Sequence, residues 1–312
     1  MTFRLGLHCF LAFFSIPLAA ATPANADGTL RVCLEQNLPP LSFRHENTAY
    51  GFDFTVAQAV ASRLGREIAI QWFESEVDKD SNPSLKANAL LSDGRCQVIA
   101  GYPLFASALG VPKAERSRLP GYEGAKREDR RRWVPLNELI PSIGYRFAPL
   151  GVVLTPKMAS RQIKSLGDLK DLRLVVEEGT LADAVLMTYG GGILIDRIEH
   201  VAPGQAVFEK MEHGDYDATL VDLHRLDAHH AQHQGSRLTW SGYYHSIGFN
   251  TGFVGLASEA PLITELNAAI GEMLAKQELP ALAQAAGLTY LPPRQPDVLT
   301  TIFAHATSRR LT

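Results

Sequence analysis

Cysteine is scarce in this chain of 312 residues, which contains only Cys9, Cys33 and Cys96. Neither Cys33 nor Cys96 has a sequence context that would favour a thiolate, so we do not expect a catalytic cysteine. The formal net charge of −3 gives no reason to expect a nucleic-acid partner. After residue 26, no stretch is long and apolar enough to span a bilayer. The sequence also lacks a Ser-His-Asp set, a phosphate-binding loop and a zinc signature.

The composition is that of a globular chain, with 46% hydrophobic and 20% charged residues. The length suits two lobes of ordinary domain size. One local run, KREDRRR at residues 126–132, packs five positive and two negative charges together. Two interpretations of this run stay open, a solvated loop or helix face and a docking patch for an acidic partner.

The first 26 residues have the pattern of a secretory signal peptide. Arg4 precedes an apolar stretch at about residues 5–21, and Ala24-Asn25-Ala26 provides a small-x-small exit. An uncleaved membrane anchor is the alternative, but Pro17 and Pro23 interrupt the apolar stretch. We therefore expect cleavage after Ala26 and export of the mature chain.

Export would leave two cysteines in an oxidising compartment, which favours their pairing. Cys33 lies in a predicted strand, RVCLE, and Cys96 immediately precedes another, CQVIAGY. In a parallel sheet of this type the two strands would be neighbours, so a disulfide is geometrically possible. Two buried free thiols are the alternative.

Predicted strands and helices alternate along the mature chain, the pattern of an α/β fold with a mostly parallel sheet flanked by helices. Asp53 is placed to cap the first helix and Gly65 to end it. The segment 103–145 lacks clear periodicity. Predicted strands are Leu30–Glu35, Glu67–Phe73, Gln97–Tyr102, Gly151–Thr155, Leu172–Val176, Ile195–Val201, Ala218–Val221 and Ile247–Leu256. Predicted helices are Phe54–Leu64, Pro83–Ser92, a helix opened by Glu178-Gly179-Thr180 and running through Met187, Ala206–His213, Leu223–His233 and Ala260–Lys276.

The order of these elements predicts two lobes joined by two chain crossings. The strands at 151–155 and 247–256 occupy the positions where the chain should cross. We assign residues 27–148 and 252–312 to the first lobe and 149–251 to the second. Two strands that link two lobes form a hinge, and the cleft between the lobes is the natural ligand site.

Four motifs stand in a characteristic order: LPPLSF at 38–43, YGFDF at 50–54, VEEGT at 176–180 and GDYDATLVD at 214–222. Together they resemble the family 3 extracellular solute-binding proteins, the amino-acid-type receptors of bacterial ABC importers. The resemblance covers nearly the whole mature chain. It implies a two-lobed periplasmic binding protein of type II that is monomeric and has no cofactor or metal. Such a protein passes a small polar solute to an ABC permease and contacts the membrane only through that partner.

The resemblance also implies a ligand site in the cleft. Phe43 and Tyr102 would provide apolar walls, Thr180 would contact an anionic ligand group at a helix start, and Asp222 would receive a ligand ammonium. A plain cap for the helix that begins at Leu223 is the alternative role for Asp222. The full set implied to bind ligand is Glu35, Asn37, Phe43, Asp53, Tyr102, Arg116, Thr180 and Asp222, with Glu35, Asn37 and Asp53 at the mouth.

One departure from the family pattern concerns the ligand carboxylate. Members that bind free α-amino acids usually follow the third strand with a Thr-x-Thr-x-x-Arg turn, whose arginine clamps the carboxylate as a bidentate fork. Here residues 101–105 read GYPLF, with no such arginine. Arg116 follows later and would have to swing into the cleft; an ordinary surface pair with Arg118 is the alternative.

The departure leaves two other functions open. A cysteine in the first strand and another before the third, followed by Gly-x-Pro, resemble the binding-protein-like partners encoded beside periplasmic quinoprotein alcohol dehydrogenases, whose role is accessory to the dehydrogenase. Some periplasmic dehydratases for cyclic acids also share this scaffold. In an enzyme of that kind, Glu35, Glu177 or Glu178 would be the candidate general acid or base.

Histidines cluster in LHRLDAHHAQH at 223–233. His229 and His233 share a helix face at the i,i+4 spacing that can hold a divalent cation, but no third or fourth ligand is signalled. An exposed helix rich in histidine is the other interpretation, and we expect no metal.

Overall fold

Alternating strands and helices build one continuous sheet that runs through both halves of this computed structural model. The signal peptide expected at 1–26 lies outside the residues that the structure describes, which are 28–46, 48–74, 83–129, 132–204 and 206–300. The described strands are β1 (Thr29–Glu35), β2 (Asn37–Leu38), β3 (Ser42–His45), β4 (Thr48–Tyr50), β5 (Glu67–Glu74), β6 (Val98–Pro103), β7 (Arg116–Arg118), β8 (Gly121–Tyr122), β9 (Trp133–Pro135), β10 (Leu139–Pro141), β11 (Arg146–Leu154), β12 (Leu174–Glu177), β13 (Ile198–Val201), β14 (Ala218–Asp222) and β15 (Thr239–Leu256). The described α-helices are α1 (Phe52–Arg63), α2 (Pro83–Ser92), α3 (Leu181–Thr188), α4 (Val207–Glu212), α5 (Leu223–Gln232), α6 (Ala260–Ala275) and α7 (Glu278–Ala285).

The sheet has a parallel core in each lobe. In the first lobe, β1 pairs in parallel with β5 and β6, and in the second, β12 pairs in parallel with β13 and β14. The antiparallel strands β11 and β15 lie between these two cores, giving the order β13-β12-β14-β11-β15-β6-β1-β5-β8. The predicted α/β class with a mostly parallel sheet and flanking helices is confirmed.

Residues of β1 alternate between two cores, as the two faces of a strand require. Leu30, Val32 and Leu34 are buried in the hydrophobic cluster that includes α1, α6 and α7. Cys33 points to the other face and lies in the cluster that includes α2. There it forms a disulfide with Cys96, which confirms the expected pairing.

The start of α1 differs from the prediction. The helix begins at Phe52 with Gly51 at the N-cap position, where φ is +124° and no side chain caps the helix. Glycine is required there because a Cβ would lie 2.5 Å from the carbonyl oxygen of Leu41. Asp53 is therefore in the first helical turn and is not the N-cap, so that prediction is wrong.

The second lobe repeats the same layering with its own two clusters of buried apolar side chains, one on each face of the sheet. The helix expected after Thr180 is α3, with Thr180 as its N-cap. The strand expected at Ile195–Val201 is shorter, because residues Ile195–Arg197 form a 3₁₀ turn before β13. The helix expected at Ala206–His213 is α4, which is also shorter.

Strands β11 and β15 are the two chain crossings, and both are longer than predicted. Phe147 and Ala148 of β11 pair with β15 near Phe249, while Val153 and Leu154 pair with its first residues, Trp240 and Thr239. The register shifts on either side of Gly151, where a Cβ would lie 2.2 Å from the Leu223 side chain. The expected lobe boundaries, after residues 148 and 251, fall inside these two strands.

Two regions could not be placed from sequence. The segment 103–145 contains four short strands, of which β7 pairs with β9 and β10 pairs with β15. The helix α7 was not predicted. In the charged run, Arg132 pairs with Asp93, whereas Arg130 and Arg131 lie outside the described residues, so both interpretations of the run stay predictions.

Candidate ligand site between the lobes

The carboxyl ends of parallel strands from both lobes converge on the crossing strands. In open α/β sheets this edge is where small ligands bind. Here β6 and the start of α1 approach from the first lobe, and β12, β14 and the start of α5 approach from the second. Several polar side chains lie at this convergence.

A buried hydrogen-bond network joins Asp53, Tyr145 and Gly101 in the first lobe. The Tyr145 hydroxyl donates to Asp53 Oδ1 at 2.8 Å and accepts from the Gly101 backbone N–H at 2.6 Å. Asp53 is 2% exposed and Tyr145 is 0% exposed. Burial raises the pKa of Asp53, while the charge of Arg146 and the Tyr145 hydrogen bond act in the opposite direction. Asp53 is therefore buried within the first lobe and does not line an open mouth, contrary to the expectation.

Gly101 is required by this network. Its φ is +73°, and a Cβ would lie 2.5 Å from Asp53 Oδ2. A larger residue at position 101 would displace the Asp53 carboxyl group from Tyr145. The position of Asp53 therefore requires glycine at 101.

Asp222 ends β14 and precedes α5. Its carboxylate makes no hydrogen bond or ion pair with any residue in the described part of the chain, and it does not cap α5 through its side chain. Asp222 therefore occupies the N-cap position of α5, as the alternative expected, but its side chain makes no capping hydrogen bond. Burial raises the pKa of Asp222, and the charges of Arg225 and Arg146 act in the opposite direction. A half-buried carboxylate without a partner is suited to receive a cationic ligand group.

Arg146 is the residue at this convergence that sequence reasoning missed. It begins β11, is 4% exposed, and its Nε has no hydrogen-bond partner among the described residues. Burial raises the pKa of three carboxyl groups from both lobes, Asp53, Asp222 and Asp227, and the charge of Arg146 opposes that rise in each. The sequence feature that could have indicated Arg146 is a single arginine at the start of an otherwise apolar strand, RFAPLGVVL.

The start of α3 is already occupied by groups of the protein itself. The Thr180 hydroxyl donates to the Glu177 carbonyl oxygen at 2.8 Å and accepts from the Asp183 N–H at 3.2 Å. Asp183 Oδ2 accepts from the Gly179 N–H at 2.9 Å, and Asp183 Oδ1 contacts His200 Nε2 at 2.9 Å. A ligand anion at Thr180 would have to displace the Asp183 carboxylate from this helix start.

A pocket of about 350 Å³ is lined by residues of both lobes. Leu38 and Pro39 contribute from the loop after β1, and α4 and α5 contribute the opposite wall. His224 faces it without a proton, because burial, followed by the charges of Arg146 and Arg225, lowers the pKa of His224 to about 3. Arg225 is held by Glu177 at 2.8 Å.

Three of the expected site residues lie near this loop. Glu35 ends β1 and is half-buried, and Asn37 is exposed in β2. Phe43 in β3 packs against Tyr50 with ring centroids 4.9 Å apart. The ligand contacts expected of these three residues stay predictions.

Two other expected site residues lie elsewhere. Tyr102 is 4% exposed in the cluster on the α2 side of the sheet, and its hydroxyl donates to the Ala108 carbonyl oxygen at 3.1 Å. It is part of the first-lobe core and does not form a cleft wall in this structure. Arg116 is exposed in β7, which pairs with β9. The structure therefore does not bring Arg116 to the crossing strands.

The histidines at 229, 230 and 233 make contacts within the protein. His229 is buried, contacts Glu212 at 3.0 Å and stacks on His233 with centroids 4.3 Å apart. His230 Nε2 contacts the Leu238 carbonyl oxygen at 3.0 Å. Within the described ranges, no group of three or more His, Cys, Asp or Glu side chains is arranged to hold a metal ion.

Solved structures with a similar fold include bacterial and ancestral solute-binding proteins and a histidine kinase sensor domain. Substrate-binding domain 2 of Lactococcus lactis GlnP, in open conformation, is 15% identical with a TM-score of 0.58, covering 84% of this chain and 96% of that one. The unliganded L-cystine solute receptor of Neisseria gonorrhoeae is 18% identical with a TM-score of 0.56, covering 84% and 93%. An ancestral cationic amino acid solute-binding protein is 18% identical with a TM-score of 0.54, covering 83% and 95%.

At identities this low, the similarity shows the two-lobed binding-protein fold and leaves function to the site. No protein-family model matches the sequence, and the search of curated proteins finds no significant match. Among the residues that the structure describes, no helix has the length and apolar character needed to cross a membrane.

Proposed function

We propose that this chain is a periplasmic receptor that captures a small polar solute, amino-acid-like or an organic acid, for an ABC importer. The observation that carries the proposal is the Asp222 carboxylate, which is half-buried and has no hydrogen-bond or ion-pair partner among the residues that the structure describes. A half-buried carboxylate without a direct hydrogen-bond or ion-pair partner costs free energy in the empty protein, and a ligand ammonium would reduce that cost. The permease partner, the periplasmic location and the monomeric state are part of the same proposal.

Binding would proceed by closure about β11 and β15, with lobe boundaries near residues 148 and 251. A ligand stabilises the closed state only to the extent that it contacts both lobes. The pocket walls come from Leu38 and Pro39 on one side and from α4 and α5 on the other. The arrangement therefore favours a ligand small enough to lie against both walls at once.

Asp222→Asn is expected to weaken binding of an amino-acid-like ligand by about 10- to 100-fold, because one charge-assisted hydrogen bond is lost. The fold should stay intact, since the native carboxylate has no protein partner to lose. A thermal-shift screen of amino acids and small organic acids would first identify a solute that raises the melting temperature of the mature chain. Titration calorimetry of that solute against the variant then measures the effect.

Asp196→Asn is the matched control, because Asp196 is an exposed acid of the same lobe. It should leave affinity unchanged. Equal affinity of Asp222→Asn and the native protein would remove Asp222 from the site, and a screen without any stabilising solute would contradict the receptor function.

The accessory role beside a quinoprotein dehydrogenase is the second candidate. It is favoured by the absence of an arginine at 101–105 together with the Cys33–Cys96 disulfide, the two features that set this chain apart from amino-acid receptors. Capture of a quinoprotein dehydrogenase by the tagged protein from periplasmic extract, with no solute stabilising it, would select this role over solute uptake.

Catalysis has less support from the candidate glutamates. Glu177 is held by Arg225 and also accepts from the Gly204 N–H at 3.3 Å. Glu178 is exposed. A general acid or base in a cyclic-acid dehydratase would need a carboxyl group that lies against the substrate and can exchange a proton with it. Neither Glu35, Glu177 nor Glu178 is among the residues that line the pocket between the lobes, so we propose no enzymatic activity.

A further inference from the structure

We propose that Arg146 and Thr251 form the subsite for the carboxylate of the ligand, in place of the arginine that the turn after β6 lacks. The inference rests on the receptor function proposed above and names the chemical class of its ligand, a zwitterion or organic acid whose carboxylate lies on the crossing strands.

The two residues face each other across the crossing strands. Arg146 of β11 and Thr251 of β15 are direct partners in the antiparallel register. Directly opposed residues of an antiparallel pair project to the same side of the sheet, with Cβ atoms about 5 Å apart. Both side chains are buried, Arg146 at 4% and Thr251 at 1% exposure.

Both residues also carry an unsatisfied polar atom. Arg146 Nε and Thr251 Oγ1 are buried without a hydrogen-bond partner among the described residues. Buried polar groups in native proteins are almost always paired, so two unpaired donors side by side indicate a missing acceptor. A carboxylate accepts from a guanidinium and a hydroxyl at once.

The alternative anion position is blocked. At the start of α3, the carboxylate of Asp183 already accepts the Gly179 N–H, and the Thr180 hydroxyl donates to Glu177. A ligand carboxylate would therefore meet a like charge at α3, whereas at β11 it would meet an arginine whose Nε has no hydrogen-bond partner among the described residues. With its carboxylate at Arg146, the ligand would present its ammonium toward Asp222, which lies within electrostatic range of the same guanidinium.

A structural role is the competing explanation, since Arg146 also offsets the buried carboxyl groups of Asp53, Asp222 and Asp227. Arg146→Lys separates the two roles. Lysine keeps the positive charge that offsets the acids but loses the fork that binds a carboxylate. Thr251→Val is the second variant, because it removes the hydroxyl with little change of shape and leaves Arg146 in place.

The experiment compares the acid and amide forms of one ligand by titration calorimetry. The probe is the α-amino acid or organic acid that most raises the melting temperature of the mature chain, paired with its carboxamide and its decarboxylated amine. We expect the native protein to bind the acid at least about 10-fold more tightly than the amide, as one charge-assisted hydrogen bond predicts. Arg146→Lys and Thr251→Val should each bring that ratio toward one. Arg66→Gln, at an exposed pair with Glu265, should leave it unchanged.

The outcomes separate the two proposals. An unchanged acid-to-amide ratio in both variants overturns the Arg146 subsite and leaves the receptor standing. The same holds if the native protein binds the amine or the amide as well as the acid. If no solute of the panel stabilises the protein, the receptor function and the subsite are both overturned. If Arg146→Lys does not fold, the ratio measured for Thr251→Val decides.

Discussion

Replacing Cys33 and Cys96 together with alanine is expected to lower the free energy of unfolding by about 4 kcal/mol. The disulfide closes a loop with a sequence separation of 63 and joins β1 to the residue that precedes β6. In the chain-entropy description, the cross-link restricts the unfolded chain, and a longer loop gives a larger effect. Urea unfolding of the native and double-variant proteins measures the difference.

Reduced native protein is the matched comparison, because it lacks the cross-link but keeps both sulfur atoms in the core. Cys33 is 0% exposed, so alanine substitution also leaves a small void there. The reduced protein should therefore lose slightly less stability than the double variant. If the free energies of unfolding of the oxidised and reduced proteins differ by less than about 1 kcal/mol, the unfolded chain is already restricted without the cross-link.

Tyr145→Phe is expected to lower the free energy of unfolding by about 3 kcal/mol. Among the described residues, this hydroxyl is the one hydrogen-bond donor to the buried Asp53 carboxyl group, and it accepts from the Gly101 N–H. Removing it leaves the Asp53 carboxyl group and the Gly101 backbone donor buried without this partner. Tyr290→Phe is the control, since its hydroxyl makes one bond of 3.1 Å to the Tyr145 carbonyl at a partly exposed site. That variant should lose about 1 kcal/mol or less.

The loss in free energy of unfolding caused by Tyr145→Phe should become smaller as the pH falls. Burial raises the pKa of Asp53 and the Tyr145 hydrogen bond lowers it, so without the hydroxyl the pKa rises further. The folded variant then holds the Asp53 proton more tightly than the folded native protein does. Its stability relative to the native protein must therefore improve as pH falls from about 7 toward the Asp53 pKa. Urea unfolding at about pH 7 and about pH 4.5 checks this, and a deficit that grows in acid would exclude the proposed cause.

Local chemistry was sufficient to predict several features. Helix α3 begins after Thr180 as expected, and Thr180 is its N-cap, a role that depends on a hydroxyl within three residues of the backbone N–H from which it accepts. The disulfide followed from the expected compartment and the neighbouring strands. The alternation of strands and helices followed from apolar spacing, which reports burial on one or both faces of each element.

The same local rules failed where the partner is distant in the chain. Asp53 reads as a helix cap, yet its partner is Tyr145, 92 residues away, and the positive φ of Gly51 shifts the helix start. Tyr102 ends the predicted third strand, where the resemblance implies a ligand wall, but its face of the sheet packs toward α2. Strand alternation assigns residues to faces without telling which face adjoins the cleft.

By itself, the sequence determined the order of elements, the two-lobed class and the start of α3, because each depends on contacts within a few residues or on the period of burial. Only the tertiary structure decided which polar groups have partners. It satisfied Asp53 and Thr180 and left Asp222, Arg146 and Thr251 without one in the described chain. The physical reason is that a buried polar group is satisfied or not by whatever the fold places beside it, and at the crossing strands those neighbours come from both lobes.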